Sequence, residues 1–178
     1  MPAFSGSDIR CDRMRVRTRT LVALLLVSGC ANTRPAAERP RVVIDAETLS
    51  GEPVSIGGPG PIRVVDLWAT WCEPCRISSD RVATFLRRHP DVEEIALSVD
   101  DDVAAVGRFL EKQPVPGRVL HFPGGMRAAS QQGLRNIPLF IVLDVEGGVV
   151  ATITGLSSDL ERRLAAAVLD GAAGPGAR

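Results

Sequence analysis

Residues 64–76 read Val-Val-Asp-Leu-Trp-Ala-Thr-Trp-Cys-Glu-Pro-Cys-Arg, an apolar run that leads directly into two cysteines two residues apart. Pro74 fits the first turn of a helix and not its interior, so Cys72 is predicted at the helix entrance and Cys75 just inside it. Unpaired N–H groups and the helix dipole favour a negative charge there, so the Cys72 thiol is expected to ionise below the usual value of about 8.5. Because a thiolate attacks disulfides and a nearby second thiol resolves the mixed disulfide, the stretch predicts a redox site.

Residues 66–75 resemble the active-site strand and turn of thioredoxins, and residues 71–75 resemble the membrane-tethered TlpA-like and ResA-like branch. This resemblance implies an α/β thioredoxin fold, with a central mixed β-sheet flanked by helices and an N-terminal β-hairpin extension. It also implies a thiol-disulfide oxidoreductase that needs no cofactor beyond the redox-active pair Cys72–Cys75. Half of a zinc site has the same cysteine spacing. The zinc interpretation lacks partner ligands, however, because the other cysteines lie near the N-terminus and the only histidines are His89 and His121.

Two acidic residues accompany the cysteines. Asp66 interrupts an apolar run that predicts a strand covered on both faces, where a carboxyl group is costly to ionise and has a raised pKa. By resemblance, it accepts the Cys75 proton when the mixed disulfide resolves. The alternative is an aspartate at the sheet margin with its side chain in water. Glu73 stabilises the helix start and disfavours the Cys72 thiolate, which favours a reductant, although a solvated charge of little redox weight fits equally well.

Residues 137–144 read Ile-Pro-Leu-Phe-Ile-Val-Leu-Asp, with a proline at the head of an apolar strand. The resemblance implies that Pro138 is cis and faces the cysteines, and that Ile137 pairs its backbone with the substrate chain. Together with Trp71, Glu73 and Pro74 these residues would form the substrate surface. The alternative is a trans proline that only begins a strand. Leu139 departs from the threonine often found there, which predicts a more apolar groove.

Residues 14–30 combine a basic segment, a short apolar run and small residues ending in cysteine, which is typical of a secretion signal. Residues 27–30 resemble a bacterial lipobox, in which Cys30 is lipidated and becomes the mature N-terminus. An ordinary secretory signal or a short anchor would also contain such a run. Met14 is the expected true start, and Cys11 lies upstream of the apolar run and is removed with it.

The predicted organisation is a signal peptide at 1–29, a lipidated cysteine and tether at 30–40, a thioredoxin-like domain at 41–170 and a disordered tail at 171–178. Residues 157–159 are expected to cap a final helix, whose apolar stripe consists of Leu160, Leu164, Val168 and Leu169. A run of three aspartates at 100–102 is interpreted as helix caps, with a metal site as the alternative. The apolar pattern also predicts strands at 41–46, 54–56, 92–99, 119–122, 139–144 and 149–154, and helices at 75–88 and 103–110.

The formal net charge is zero and aromatic residues make up 4% of the chain, so nothing indicates a nucleic-acid partner. The expected function is reduction of disulfides in exported proteins by a monomeric, membrane-anchored lipoprotein facing the periplasm or extracytoplasmic space. By resemblance, a membrane thiol transporter donates the electrons, and apocytochrome c thiols are one candidate substrate. Two alternatives stay open. One is a disulfide-donating oxidase of the same fold; the other is a copper-binding module like the Sco-like branch, which has a longer cysteine spacing and a histidine ligand.

Overall fold

The computed structural model describes residues 38–174, which contain seven strands and four helices. In chain order the elements are β1 (Ile44–Glu47), β2 (Pro53–Ile56), β3 (Arg63–Trp68), α1 (Glu73–Arg88), β4 (Glu93–Ser98), α2 (Val103–Leu110), β5 (Arg118–His121), α3 (Gly125–Gln131), β6 (Leu139–Leu143), β7 (Val149–Thr154) and α4 (Leu160–Ala173).

The strands form one mixed sheet in the order β2-β1-β5-β4-β3-β6-β7. The strand β3 runs parallel to β4 and antiparallel to β6, and all six of its residues are buried. A strand buried on both faces is what its continuous apolar sequence predicts. The predicted thioredoxin fold, with flanking helices and an N-terminal hairpin, is confirmed.

Alternate residues of the central strands enter two apolar clusters, as the two-residue period of a strand requires. Val64 and Phe140 pack in the cluster that includes α1 and α4, whereas Leu67 and Ile141 belong to the other cluster, with Ala129 of α3. The two clusters hold β3 rigidly between them. The carboxyl end of β3 therefore fixes the position of the cysteines at the start of α1.

Two details of the helices differ from the sequence expectation. The pattern did not predict α3, a seven-residue helix that begins at consecutive glycines with positive φ, Gly124 and Gly125. Leu169 was expected on the apolar stripe of the last helix but is 69% exposed. It lies nine residues after Leu160, about two and a half turns, and so faces the opposite side.

Both predicted boundaries of the domain need correction. The expected disordered tail begins too early, because α4 continues to Ala173 and Gly171 is buried against Asp144 and Val150. The expected tether extends too far. The Arg39 side chain bonds Asp144 at 2.9 Å and Asp170 at 3.0 Å, and the Pro40 carbonyl accepts a hydrogen bond from Val149.

The predicted signal peptide and lipidated Cys30 lie outside the described residues, as does the end of the tail from residue 175. Across residues 38–174, no helix is long and apolar enough to span a bilayer.

Candidate dithiol active site

The two cysteines lie at the junction between β3 and α1. Cys72 is the N-cap of the helix, and Cys75 lies in its first turn with Pro74, as the sequence predicts. The Cys75 N–H donates to Cys72 Sγ at 3.2 Å, and the two sulfurs are joined by a disulfide bond. Cys72 is therefore the sulfur that the helix N-terminus can stabilise as a thiolate after reduction.

Trp71 is exposed beside the disulfide, with 62% of its surface accessible, whereas both cysteines are buried. The peptide bond between Ile137 and Pro138 is cis, as the resemblance implies. Leu139, the next residue, pairs with Leu67 near the end of β3, so Pro138 lies at the end of the sheet that carries the cysteines. Leu139 itself is buried in an apolar cluster, so it does not make the exposed groove more apolar.

Asp66 is buried, with 1% of its surface exposed, which excludes the interpretation as a residue at the sheet margin. Desolvation by this burial raises the pKa of its carboxyl group to about 8. Its Oδ1 atom has no hydrogen-bond partner among the described residues. Asp66 and Cys75 line the same cavity, whose volume open to the centres of water molecules is about 10 Å³. That is room for about one water, and both side chains border it.

Glu94 is a second buried acid, which no sequence pattern indicated. It is 4% exposed, and neither carboxyl oxygen has a hydrogen-bond partner within residues 38–174. Desolvation, followed by the negative charge of Asp66, raises its pKa to about 9. Glu94 lies on β4 two residues before Ala96, the register partner of Asp66, so the two acids share one face of the sheet.

Only one residue of the aspartate run caps a helix in the predicted way. Asp102 accepts a hydrogen bond from the Ala104 N–H at 2.9 Å, whereas Asp100 is buried and bonds Thr70 in the turn before Cys72. The expectation that the whole run caps α2 is therefore wrong for Asp100. In the described part of the chain, no cluster of three or more His, Cys, Asp or Glu side chains could hold a metal ion.

Glu73 lies next to Cys72, but its side chain is 65% exposed and forms an ion pair with Arg76. Water and the neighbouring guanidinium both reduce the influence of its charge on the sulfur. The geometry favours the interpretation of Glu73 as a solvated charge of little redox weight.

The mixed sheet, the disulfide at a helix N-terminus and the adjacent cis-proline define a thioredoxin-fold redox domain. No family model matches the chain. It is 30% identical over 107 residues to thioredoxin 1 from Nostoc sp., a match that covers 57% of this chain and 78% of the relative. The chain belongs to the thioredoxin family.

Two further relatives are matched over a smaller part of their length. Thioredoxin 1 from Synechococcus elongatus is 32% identical over 52% of this chain and 64% of its own length. The thiol:disulfide interchange protein HelX from Rhodobacter capsulatus is 25% identical over 54% of this chain and 53% of its own length. The chain thus spans about half to two thirds of these proteins.

Solved structures show the same fold. A candidate thiol:disulfide interchange protein DsbE from Chlorobium tepidum superposes with a TM-score of 0.64 at 20% identity, covering 75% of this chain and 96% of that one. A secreted disulfide oxidoreductase from Mycobacterium tuberculosis has a TM-score of 0.57 at 21% identity, covering 71% of this chain and 95% of that one.

Proposed function

We propose that this protein is a thiol-disulfide oxidoreductase that reduces disulfides in exported proteins through Cys72 and Cys75. The observation that carries the proposal is the disulfide at the N-terminus of α1, with Cys72 as the N-cap and an acid of raised pKa beside Cys75. The membership of the thioredoxin family supports the same chemistry.

The reaction starts from the reduced pair. The Cys72 thiolate attacks a substrate disulfide, so that a mixed disulfide forms and one substrate sulfur leaves as a thiolate that takes up a proton. The Cys75 thiol then gives its proton to ionised Asp66 and attacks Cys72 Sγ, and the second substrate sulfur leaves as a thiolate that takes this proton back from Asp66. Cys72 and Cys75 end as a disulfide, and the substrate has gained two electrons and two protons.

Asp66 has a pKa suited to this step. With a value of about 8, roughly a tenth of the Asp66 carboxyl groups are ionised at pH 7 and can accept a proton. An acid with an ordinary pKa would be fully ionised, but its carboxylate would be a weaker base and would take the Cys75 proton less readily. The cavity that both residues line is the proposed path of the proton.

The surface around the disulfide is suited to an extended apolar segment of a protein. Trp71 and Ile77 are among the exposed large hydrophobic residues, and Ile137 is half-buried next to the cis-proline. Glu73 and Pro74 complete the rim in our proposal. Contact with Trp71 would bring a substrate sulfur close to the buried Cys72.

We extend the proposal to location and partners. The signal-like residues 14–30 and the lipobox-like residues 27–30 support export and lipid attachment at Cys30. The mycobacterial disulfide oxidoreductase is a secreted protein, which agrees with an extracytoplasmic role. A reduced dithiol in an oxidising compartment needs a donor, so a membrane thiol carrier is the expected electron source. Apocytochrome c thiols are one candidate substrate.

The test is the reduction of insulin disulfides by the full chain with dithiothreitol as the electron source. Wild-type protein should accelerate insulin precipitation, and Cys72→Ser should abolish the acceleration. Cys30→Ser is the matched control, because it replaces a cysteine outside the dithiol; it should keep full activity and lose membrane attachment in cells. Equal activity of wild type and Cys72→Ser, or faster oxidation of reduced peptides than reduction of insulin, would refute the proposal.

A further inference from the structure

Asp100 places a buried carboxyl group beneath the turn that precedes Cys72. Only 3% of the residue is exposed. Its Oδ2 atom lies 2.9 Å from the Thr70 nitrogen and 2.8 Å from Ser98 Oγ, and its Oδ1 atom lies 2.6 Å from Thr70 Oγ1 and 3.2 Å from the Thr70 nitrogen. Both oxygens therefore bind Thr70, through its main chain and its side chain.

The groups around the Asp100 carboxyl group can all donate hydrogen bonds to it. The Thr70 nitrogen can only donate, and Ser98 Oγ accepts from the Asp100 N–H at 3.1 Å, which leaves the Ser98 hydroxyl proton free to point at the carboxyl group. No basic side chain within residues 38–174 forms an ion pair with Asp100. A buried carboxyl group that forms no ion pair depends on its hydrogen bonds, so these contacts hold its position.

The main chain of Asp100 is also held. His121 Nε2 lies 2.8 Å from the Asp100 carbonyl oxygen, and since a carbonyl only accepts, Nε2 carries the proton. His121 Nδ1 lies 2.9 Å from Glu47 Oε1 on β1. His121 of β5 therefore connects Asp100 by hydrogen bonds to Glu47 in the N-terminal hairpin.

Thr70 connects Asp100 to the turn that leads into Cys72. It lies two residues before Cys72, whose N–H donates to the Ala69 carbonyl at 3.0 Å. On the other side of the turn, Val99 donates to the Trp68 carbonyl at 2.8 Å. The turn can shift only if the Asp100 contacts break, and its position decides whether Cys72 Sγ stays in reach of the Cys75 N–H.

We propose that Asp100 is a positioning residue of the redox site, which acts through Thr70 to hold Cys72 at the N-terminus of α1. The proposal rests on the proposed function and adds a residue to it. The Cys72 thiolate gains stabilisation from the helix N-terminus only while the turn keeps its place. Loosening the turn should therefore make Cys72 a weaker nucleophile at neutral pH.

The central comparison is Thr70→Val against Thr70→Ser in the full chain. Valine keeps the shape and the Thr70 N–H but removes the hydroxyl donor, whereas serine retains it. After reduction, the rate of Cys72 alkylation by iodoacetamide is measured from pH 5 to 9, with the labelled cysteine identified by mass spectrometry. Thr70→Val should react about threefold or more slowly at pH 7, with its pH midpoint moved upward, and Thr70→Ser should restore both values.

Asp144→Asn is the control for a merely structural loss. Asp144 is also a buried aspartate, and it accepts hydrogen bonds from Arg39, Glu146 and Gly148 at the other end of the sheet. Asp144→Asn should lower the melting temperature and leave the Cys72 alkylation profile unchanged. Asp100→Asn provides a second variant if Thr70→Val does not fold, and it should also shift the profile.

Wild-type alkylation kinetics in Thr70→Val, or an equal loss in Asp144→Asn, would overturn the positioning role. Insulin reduction is measured on the same samples, which separates the two proposals. If wild type fails to reduce insulin, the proposed function fails, while the alkylation comparison still decides the role of Asp100.

Discussion

Replacing Asp66 by Asn should make the stability of the folded protein less dependent on pH. Burial raises the pKa of this carboxyl group from 3.8 to about 8 in the folded state, while in the unfolded chain it ionises near 3.9. Between these values the folded protein keeps a proton that the unfolded chain has released. The free energy of unfolding therefore falls as the pH rises from about 4 to about 8, and it is highest below the unfolded pKa.

The size of this loss follows from the two pKa values. Between pH 4 and pH 7 the folded protein holds about one proton more than the unfolded chain, so each pH unit lowers the free energy of unfolding by about 1.4 kcal/mol. Over three pH units Asp66 therefore lowers it by about 4 kcal/mol. Asparagine does not titrate and so avoids this loss. Relative to wild type, Asp66→Asn should gain about 4 kcal/mol between pH 4 and pH 7, whatever constant difference its amide group adds.

The assay is urea unfolding of the oxidised protein, followed by circular dichroism at several pH values from 4 to 8.5. Asp45→Asn serves as the control, because Asp45 is an exposed aspartate and its change should leave the pH dependence of stability as in wild type. If the difference in unfolding free energy between Asp66→Asn and wild type is the same at pH 4 and pH 8, the reasoning about the buried carboxyl group is wrong.

Three other changes test separate parts of the structure. Glu94→Gln should gain stability over wild type between about pH 4.5 and 9, because burial raises the Glu94 pKa to about 9; parallel urea curves across that range would contradict it. Arg39→Ala leaves buried Asp144 without its cationic partner and should cost about 1 to 3 kcal/mol of unfolding free energy. Insulin reduction should not change, and an unchanged melting temperature would show that the contact contributes nothing. Cys75→Ser should trap a substrate on Cys72 as a mixed disulfide visible by mass spectrometry; an adduct that forms in Cys72→Ser instead would reverse the two roles.

The sequence allowed the redox site to be predicted because its signals are local. Pro74 sets the helix start within a few residues, and the apolar neighbours of Asp66 reveal a buried strand without knowledge of the rest of the chain. The burial of Asp66 follows directly from that pattern. The mixed sheet follows from the order of the elements and from the family resemblance.

Other parts of the site depend on long-range contacts that no local pattern encodes. Glu94 stands next to another glutamate at a strand start, which resembles an exposed edge; only the parallel register with β3 brings it to the face that carries Asp66. Asp100 belongs to a run of aspartates before a helix, so capping was the simplest interpretation. Its bond to Thr70, 30 residues away, emerges only when β3 and β4 lie side by side. Arg39 likewise finds Asp144 across 105 residues.

The most direct test of the account is the equilibrium reduction potential of the Cys72–Cys75 pair in the full chain. The protein is equilibrated with glutathione and dithiothreitol mixtures, and the reduced fraction is measured by thiol alkylation, with Cys72→Ser as the blank. For a reductase we expect a two-electron couple near the thioredoxin value of about −270 mV. A value near about −120 mV, typical of a strong oxidant, or the absence of any couple between these limits, would contradict the proposed reductase.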